Sequence, residues 1–226
     1  MLYVGLVAAV VAGNLAAHAM GLNAFRVYVA TIFLMAPAIA GARLLHVVAY
    51  WKLYWRNPRR IWDRGEGGYG MYGGLPLALL LSVPLLHGLR VPFSAFWDVG
   101  ILSILTGMIF ARIGCLLNGC CSGRASNVWF SMYLPNHLGV WERRIPSQCL
   151  ESTWAAVLLV SAILLRQRMP FPGALFLSVC CVYPAGRLIL ETFREPEGGS
   201  RFTMYHTISV VIMVLALVTL SVKWPR

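Results

Sequence analysis

Seven apolar segments spaced along the chain constrain its fold more than any other feature. Most of them approach the ~20 residues that cross ~30 Å of bilayer hydrocarbon as a helix rising ~1.5 Å per residue. Of the 226 residues, 59% are hydrophobic and 12% are charged, whereas about 25% is the usual charged fraction of a water-soluble domain. The sequence therefore predicts an all-α integral membrane protein. The predicted spans are roughly Leu2–Ala19, Val27–Trp51, Leu75–Leu86, Phe93–Leu117, Leu150–Leu165, Pro172–Leu190 and Tyr205–Val222.

The polar stretches and the opening segment complete the predicted architecture. The opening segment has no basic residue before its apolar core, so we interpret it as a retained first span and not as a cleaved signal peptide. The longest polar stretch separates the fourth and fifth spans, and residues 118–148 are predicted to form a small extramembrane cap. No low-complexity tract divides the chain, so we expect one membrane domain over residues 1–226.

The net charge of +11 consists almost entirely of arginine, since Lys52 and Lys223 are the only lysines among the 19 basic residues. Arginine presents a planar, permanently charged fork that binds phosphate through two hydrogen bonds, whereas lysine suffices for general attraction to anionic lipid. The bias favours phosphate binding at a lipid surface, and GC-rich codon usage is the alternative explanation. We expect these basic residues to interact with the lipid bilayer and not with nucleic acid.

A short pattern recurs late in the second, fourth and sixth spans: a small residue, an arginine and an aliphatic residue, at Arg43, Arg112 and Arg187. Alternate spans leave the membrane on the same side, so the three arginines are predicted to lie near one face. An arginine within hydrocarbon costs ~2.5–3.5 kcal/mol on insertion scales, which favours a functional anion site. The alternative is local pairing or snorkelling to the interface, and Glu191 lies one helical turn after Arg187.

The stretch RIGCLLNGCCSGR, residues 112–124, carries the most specific pattern in the chain. It resembles the signature of the bacterial prolipoprotein diacylglyceryl transferases. Four other segments resemble segments of that family: GARLLHVVAYW, GGYGMYGGL, RIPSQCLES and GRLILETFREPE. The matches keep the same order from about Gly41 to Glu197, and seven spans is also the family's count. Within the signature the matching positions are Arg112, Gly114, Asn118, Gly119, Gly123 and Arg124.

The resemblance implies an enzyme that moves a diacylglyceryl group from phosphatidylglycerol to the lipobox cysteine thiol of a prolipoprotein and releases glycerol phosphate. Its implied partners are phosphatidylglycerol and prolipoprotein signal peptides, and it implies no cofactor and no metal. The chemistry agrees with the arginine pattern. An anionic donor needs fixed cations at headgroup depth, and the departing phosphate gains charge in the transition state.

On the same resemblance, Arg112 and Arg187 are the candidate catalytic residues, together with Tyr72 at the place of a family histidine. Polar residues near them would hold the lipid headgroup or orient the arginines, and glycines would let the backbone approach lipid closely. The candidate substrate-binding residues are Arg43, Asn118, Arg124, Gln148, Glu151, Glu191, Arg194, Gly73, Gly74, Gly114 and Gly119.

Four positions depart from the family pattern. Tyr72 and Ile145 stand in place of histidines, Cys115 in place of an asparagine and Cys120 in place of a glutamate. Because tyrosine has an ordinary pKa of ~10, a neutral general base is missing from its usual place. Nearby arginines would instead lower the substrate thiol's pKa from its ordinary ~8.5. The alternatives are transfer of a lipid-derived group to another acceptor, or a non-enzymatic membrane thiol protein.

Three cysteines, Cys115, Cys120 and Cys121, lie within the signature and allow several interpretations. They are small packing residues in a tight cap, a disulfide or redox pair, or a site for a soft metal or an acyl thioester. No complete CxxC…CxxC pattern is present, so no structural zinc site is predicted. Cys180 and Cys181 lie in an apolar span, where cysteine behaves as a small hydrophobe.

Charge counting and the resemblance disagree on orientation. Lysines and arginines are more numerous beside the arginine-rich face, which the positive-inside rule would make cytoplasmic. The resemblance implies that this face looks to the extracytoplasmic side of the bacterial inner membrane. We follow the resemblance, because arginines kept for phosphate binding distort a count meant for loops selected only for topology.

Overall fold

A computed structural model of the protein describes residues 1–49, 51–56, 71–135, 139–194 and 204–224. A turn of 3-10 helix, Arg166–Arg168, follows α6. Between α5 and α6 lie the strands β1 (Met132–Pro135) and β2 (Trp141–Arg144). In chain order the helices in these ranges are α1 (Leu2–Ala19), α2 (Ala24–Ala49), α3 (Trp51–Arg56), α4 (Met71–Leu89), α5 (Phe93–Leu117), α6 (Ser147–Leu165), α7 (Ala174–Glu191) and α8 (Met204–Lys223).

The helices follow the predicted spans closely, and the helical membrane architecture is confirmed. Stretches of α2, α5, α6, α7 and α8 are long and apolar enough to cross a membrane, while Tyr3–Ala19 and Gly73–Leu89 form shorter apolar helices. The largest difference lies in the third span, because α4 begins at Met71 and not near Leu75. Gly73 and Gly74 thus belong to the helix itself.

The described chain forms two compact units, and Leu22–Phe93 is the smaller. Within it, α2 and α4 pack through glycine. A Cβ on Gly73 would overlap the carbonyl oxygen of Gly41, and a Cβ on Gly74 would lie 2.6 Å from the carbonyl oxygen of Ala38. Small residues let two helix backbones approach this closely. The glycine pair therefore serves helix packing within this unit.

The larger unit comprises Met1–Gly21 and Ser94–Arg226, and its helices α5 and α7 are joined by a buried carboxylate. Asp98 on α5 is 3% exposed. It accepts hydrogen bonds from the backbone N–H groups of Gly173 (2.6 Å) and Phe176 (2.9 Å). These groups open α7, where N–H groups have no partner in their own helix and the helix dipole favours negative charge. Asp98 therefore fixes the start of α7 against α5.

The segment between α5 and α6 contains a small antiparallel sheet that the sequence analysis did not predict. β1 pairs with β2 from Met132 opposite Arg144 to Pro135 opposite Trp141. The rings of Tyr133 and Trp141 stack with their centroids 5.9 Å apart, as a diagonal cross-strand pair. Strands of four residues carry too little periodicity to be distinguished from loop in a sequence.

Candidate active site

A single buried carboxylate, that of Glu151, organises the polar side chains of the larger unit. Glu151 lies in the second turn of α6 and is 5% exposed. Nη1 of Arg187 donates to its Oε1 at 2.7 Å, and Nη1 of Arg194 lies 3.5 Å from the same oxygen. Nε of Arg112 lies 2.7 Å from its Oε2. Three guanidinium groups from separate parts of the chain therefore meet at one carboxylate.

The helix directions explain why these residues meet. Arg112 lies near the end of α5 and Arg187 near the end of α7, whereas Glu151 lies near the start of α6. Successive spans run in opposite directions, so the ends of α5 and α7 and the start of α6 lie at one level. Gly186 precedes Arg187 and leaves room for the indole of Trp154, which a Cβ at that position would overlap. This contact brings α7 close to α6 beside the ion pairs.

The net charge of this cluster favours the binding of an anion. Arg187 also pairs with Glu191 at 2.7 Å, so the local pairing considered from the sequence occurs together with the shared one. Among the described residues, three guanidinium groups thus face two carboxylates. Within the described residues, Oε2 of Glu151 has no aligned hydrogen bond, so its contact with Arg112 is an ion pair by distance alone. The described cluster therefore carries an excess of positive charge, and a guanidinium can bind a phosphate through two hydrogen bonds.

The candidates from the second and third spans belong to the smaller unit. The guanidinium carbon of Arg43 lies 5.6 Å from the centre of the Tyr54 ring, at a distance typical of cation–π contacts. Tyr72 lies in the first turn of α4, and its side chain is outside the part of the chain that the structure describes. Within the larger unit, Arg112 and Arg187 meet at the carboxylate of Glu151.

Gly123 is the point at which three backbone segments of the site converge. Its N–H donates to the carbonyl oxygen of Ile145 at 2.9 Å, and the N–H of Arg124 donates to that of Phe193 at 3.0 Å. A Cβ on Gly123 would lie 2.6 Å from the Phe193 oxygen and 2.7 Å from the Ile145 oxygen. Only glycine fits here. The segment after α5 is thereby tied to the start of α6 and the end of α7.

Arg144 is a buried residue of this frame that the sequence analysis did not single out. It is 2% exposed, donates to the carbonyl oxygen of Gly123 at 3.0 Å and pairs with Glu142. In the sequence it is the second of two consecutive arginines and the first residue of the segment RIPSQCLES. An inward-facing arginine in a strand of four residues leaves no pattern that would separate it from its exposed neighbour Arg143.

Within the part of the chain that the structure describes, the remaining signature residues lie outside the Glu151 ion pairs. The side chains of Asn118 and Arg124 are exposed. A Cβ on Gly114 would lie 3.1 Å from Cβ of Met1, and one on Gly119 would lie 2.8 Å from Cγ of Pro135. Both glycines therefore pack against protein.

Buried side chains at the start of α6 hold the cysteine-containing turn in place. Nε2 of Gln148 donates to the carbonyl oxygen of Cys120 at 2.6 Å, and Oγ of Ser147 donates to that of Cys121 at 2.7 Å. Gln148 is three residues before Glu151, so both lie on one face of α6. Among the described residues, Oε1 of Gln148 is buried without a hydrogen bond. Gln148 thus links the cysteine turn to the charged cluster.

The three cysteines of the signature form one cluster, in which all three sulfurs lie within 4.8 Å of one another. The pKa of the Cys121 thiol is lowered to about 5. Hydrogen bonding with Cys115 is the largest cause, Arg194, Cys120 and Arg112 contribute in the same direction, and partial burial opposes them. Cys121 therefore loses its proton more readily than an ordinary thiol, and two of the arginines that meet at Glu151 contribute to this.

Comparison with known proteins identifies the family of the chain. Residues 1–222 match the family model described as prolipoprotein diacylglyceryl transferase. A phosphatidylglycerol–prolipoprotein diacylglyceryl transferase of Dehalococcoides mccartyi is 30% identical over 197 residues, which cover 84% of this chain and 74% of that protein. Proteins of the same name from Idiomarina loihiensis (31% identity, covering 82% of this chain and 72% of that one) and Bacillus cytotoxicus (26%, covering 85% and 75%) are also similar. The chain belongs to the prolipoprotein diacylglyceryl transferase family.

Proposed function

We propose that this protein transfers a diacylglyceryl group from phosphatidylglycerol to the lipobox cysteine thiol of prolipoproteins. The observation that carries the proposal is the convergence of three arginines on one buried carboxylate. Family membership makes the chain a transferase, and the names of its relatives supply the donor and the acceptor. The proposed localisation is the bacterial inner membrane, where the family's lipid donor resides.

In the proposed reaction, Arg112 and Arg187 hold the donor phosphate. The acceptor sulfur attacks the glyceryl carbon, an S–C bond forms, and the C–O bond to phosphate breaks so that glycerol phosphate leaves with the electron pair. Negative charge grows on the departing phosphate, and prearranged guanidinium groups stabilise it without reorganising. Glu151 is a positioning residue, because it fixes the directions of three guanidinium groups before the lipid arrives.

The proton of the acceptor thiol needs no general base in this scheme. Cationic surroundings lower a thiol's pKa, because they stabilise the thiolate. Hydrogen bonding with Cys115 is the main cause of the lowered pKa of Cys121, and the cations Arg194 and Arg112 lower it further. The acceptor thiol would release its proton to solvent and attack as the thiolate, which accommodates tyrosine at the family's histidine position.

We also propose seven spans, with the segment of residues 118–148 and the arginine cluster on the extracytoplasmic side. The family's substrates reach that side after translocation, and the two shorter apolar helices would complete the count. A reporter fused after the last residue tests this orientation. Activity of a cytoplasmic reporter is expected, and activity that requires export of the C-terminus would refute the orientation.

The function is tested by labelling. Membranes containing the protein are incubated with a lipobox peptide and phosphatidylglycerol, and the peptide is expected to gain the mass of one diacylglyceryl group. Phosphatidylethanolamine as sole donor is the control and is expected to give no product. A well-folded protein that labels no peptide would contradict the proposed reaction.

A genetic test complements the labelling. The gene is expected to restore growth to cells depleted of their own diacylglyceryl transferase. Failure to restore growth, together with a change in another lipid-modified product on deletion of the gene in its own host, would favour a different acceptor for the same site.

A further inference from the structure

Three thiols of the signature meet in the turn after α5, and the proposed transfer reaction does not use them. Two of them stand at positions where the family pattern has other residues, Cys115 and Cys120, and the third is Cys121. We propose that this three-thiol cluster binds one soft, thiophilic metal ion of the Cu(I) class. The proposal is independent of the transferase function.

The end of α5 explains how the first two sulfurs meet. The N–H of Cys120 donates to the carbonyl oxygen of Cys115 at 3.0 Å, and the N–H of Gly119 donates to that of Leu116 at 3.1 Å. This pair of bonds, with Gly119 at φ +66°, is a Schellman motif. The motif brings the residue after the glycine back against the last turn of the helix, where an apolar contact usually forms. Here that contact is made by two cysteines.

The backbone of Cys121 then turns the third sulfur towards the other two. Cys121 has φ +64°, a left-handed conformation that few residues other than glycine adopt. Buried Gln148 and Ser147 hold the carbonyl groups of Cys120 and Cys121 from α6. These bonds hold the backbone of the cluster in place, so binding requires little ordering of the chain.

The distances suit a three-coordinate ion. With metal–sulfur bonds of about 2.3 Å, three sulfurs around one ion lie about 4 Å apart, and the cluster holds them within 4.8 Å of one another. Small side-chain rotations would therefore close the site. The S–H hydrogen bond from Cys120 to the carbonyl oxygen of Cys115, now 3.6 Å, would be given up as the thiol loses its proton.

The ligand chemistry selects the class of metal. Thiolate is a soft ligand that favours Cu(I) and Zn²⁺ over oxygen-seeking ions such as Mg²⁺ or Ca²⁺. Structural zinc is almost always bound by four ligands. Within the described residues, the cluster offers three ligands and no carboxylate or imidazole. Trigonal coordination of Cu(I) fits this set better, and Arg112 and Arg194 offset the negative charge that three thiolates bring.

The chain provides a matched control for a binding experiment. Cys180 and Cys181 are also adjacent, but they lie within α7, and neither belongs to the cluster. Purified reduced protein in detergent is titrated with Cu(I) against a chromophoric Cu(I) chelator, and with Zn²⁺ in parallel. We expect one Cu(I) per chain, unchanged in the Cys180→Ser/Cys181→Ser variant.

In the Cys120→Ser/Cys121→Ser variant we expect the Cu(I) affinity to fall by about 100-fold or more, because removal of ligands exceeds the about 10- to 100-fold effect of removing a residue that only orients one. Equal affinity in the wild type and this variant would overturn the proposal. Tighter binding of Zn²⁺ than of Cu(I) would overturn the assignment of the metal class.

An alkylation experiment on the wild-type protein tests the same site without depending on the folding of a variant. Bound Cu(I) is expected to protect Cys115, Cys120 and Cys121 together from alkylation, as quantified by peptide mass spectrometry, and to leave Cys149 unprotected. Protection of Cys149, or of one cysteine of the cluster alone, would contradict a shared three-sulfur site.

Discussion

Helices α5 and α7 bury one carboxylate at each end of the larger unit, and the two carboxylates are satisfied in different ways. Asp98 accepts hydrogen bonds from backbone N–H groups at the start of α7. Glu151 is met by arginine side chains at the other end. Backbone donors cannot leave without unwinding a helix, whereas guanidinium groups can exchange one anion for another. The Asp98 end is therefore suited to fixing the fold, and the Glu151 end to holding a substrate phosphate.

The largest expected effect on activity is at the Glu151 end. Arg187→Ala or Arg112→Ala should reduce peptide labelling by about 10²- to 10³-fold, the range typical of removing one prearranged transition-state donor. Arg168→Ala, in the exposed turn after α6, is the matched control and should keep full activity. Labelling is measured per amount of folded protein. Arg112→Ala and Arg187→Ala variants as active as Arg168→Ala would remove the basis for the proposed site.

A substitution at the Asp98 end should lower the stability of the protein and leave its activity unchanged. Asp98→Ala leaves two buried N–H groups without an acceptor, so we expect the free energy of unfolding to fall by about 1–3 kcal/mol. Thermal unfolding in detergent measures this change, and labelling per folded molecule should stay near that of the wild type. Glu151→Gln should show the reverse: labelling per folded molecule should fall, and the free energy of unfolding should change less than in Asp98→Ala. If Asp98→Ala instead lowered labelling with unchanged stability, the contrast between the two ends would fail.

The hydrogen bond with Cys115 and the nearby arginines should together appear in the reactivity of Cys121. Since its pKa is about 5, the thiolate predominates above that pH, and alkylation in metal-free buffer should change little between about pH 6 and about pH 8. An ordinary thiol of pKa ~8.5 would gain about 75-fold in rate over that range. Arg194→Ala should raise the pKa of Cys121, because a cation that stabilises the thiolate is lost. A profile like that of free cysteine would contradict the lowered pKa of Cys121, and an unchanged profile in Arg194→Ala would contradict the contribution of Arg194.

The smallest expected effect is at an exposed arginine of the signature. Arg124 lies outside the Glu151 cluster, and its side chain is exposed, so a contact with lipid phosphate there should be screened. Arg124→Ala should weaken the apparent affinity for phosphatidylglycerol by no more than about fivefold, the equivalent of about 1 kcal/mol for an exposed ion pair. Initial rates at varied donor content in mixed micelles measure it. A loss as large as that of Arg187→Ala would place Arg124 among the phosphate-binding arginines.

Much of the helical architecture could be predicted from the sequence because the bilayer imposes one length scale. The predicted bounds of the first and fourth spans are those of α1 and α5, and the meeting of Arg112 with Arg187 followed from their shared position late in alternate spans. The third span was predicted too short, because Gly73 and Gly74 lower the helix propensity in a sequence although they pack well against α2. Their packing partner is distant in the chain, so no local pattern indicates it.

Other features depended on contacts between distant segments. The roles of Arg144 and Asp98 could not be predicted from their neighbours in the sequence. A charged residue in a loop or a span has the same local appearance whether it is exposed or buried against a distant backbone. The sequence predicted only that arginines lie near one membrane face. That three of them share the carboxylate of Glu151 required the three-dimensional arrangement.

The sequence by itself determined that this chain is a helical membrane protein of the diacylglyceryl transferase family, because hydrophobic length and ordered motifs are properties of residues along the chain. The tertiary structure alone decided which charges neutralise one another and which thiols meet. Those outcomes depend on distances between helices, and a few ångströms separate a shared ion pair or a common metal site from residues that never touch.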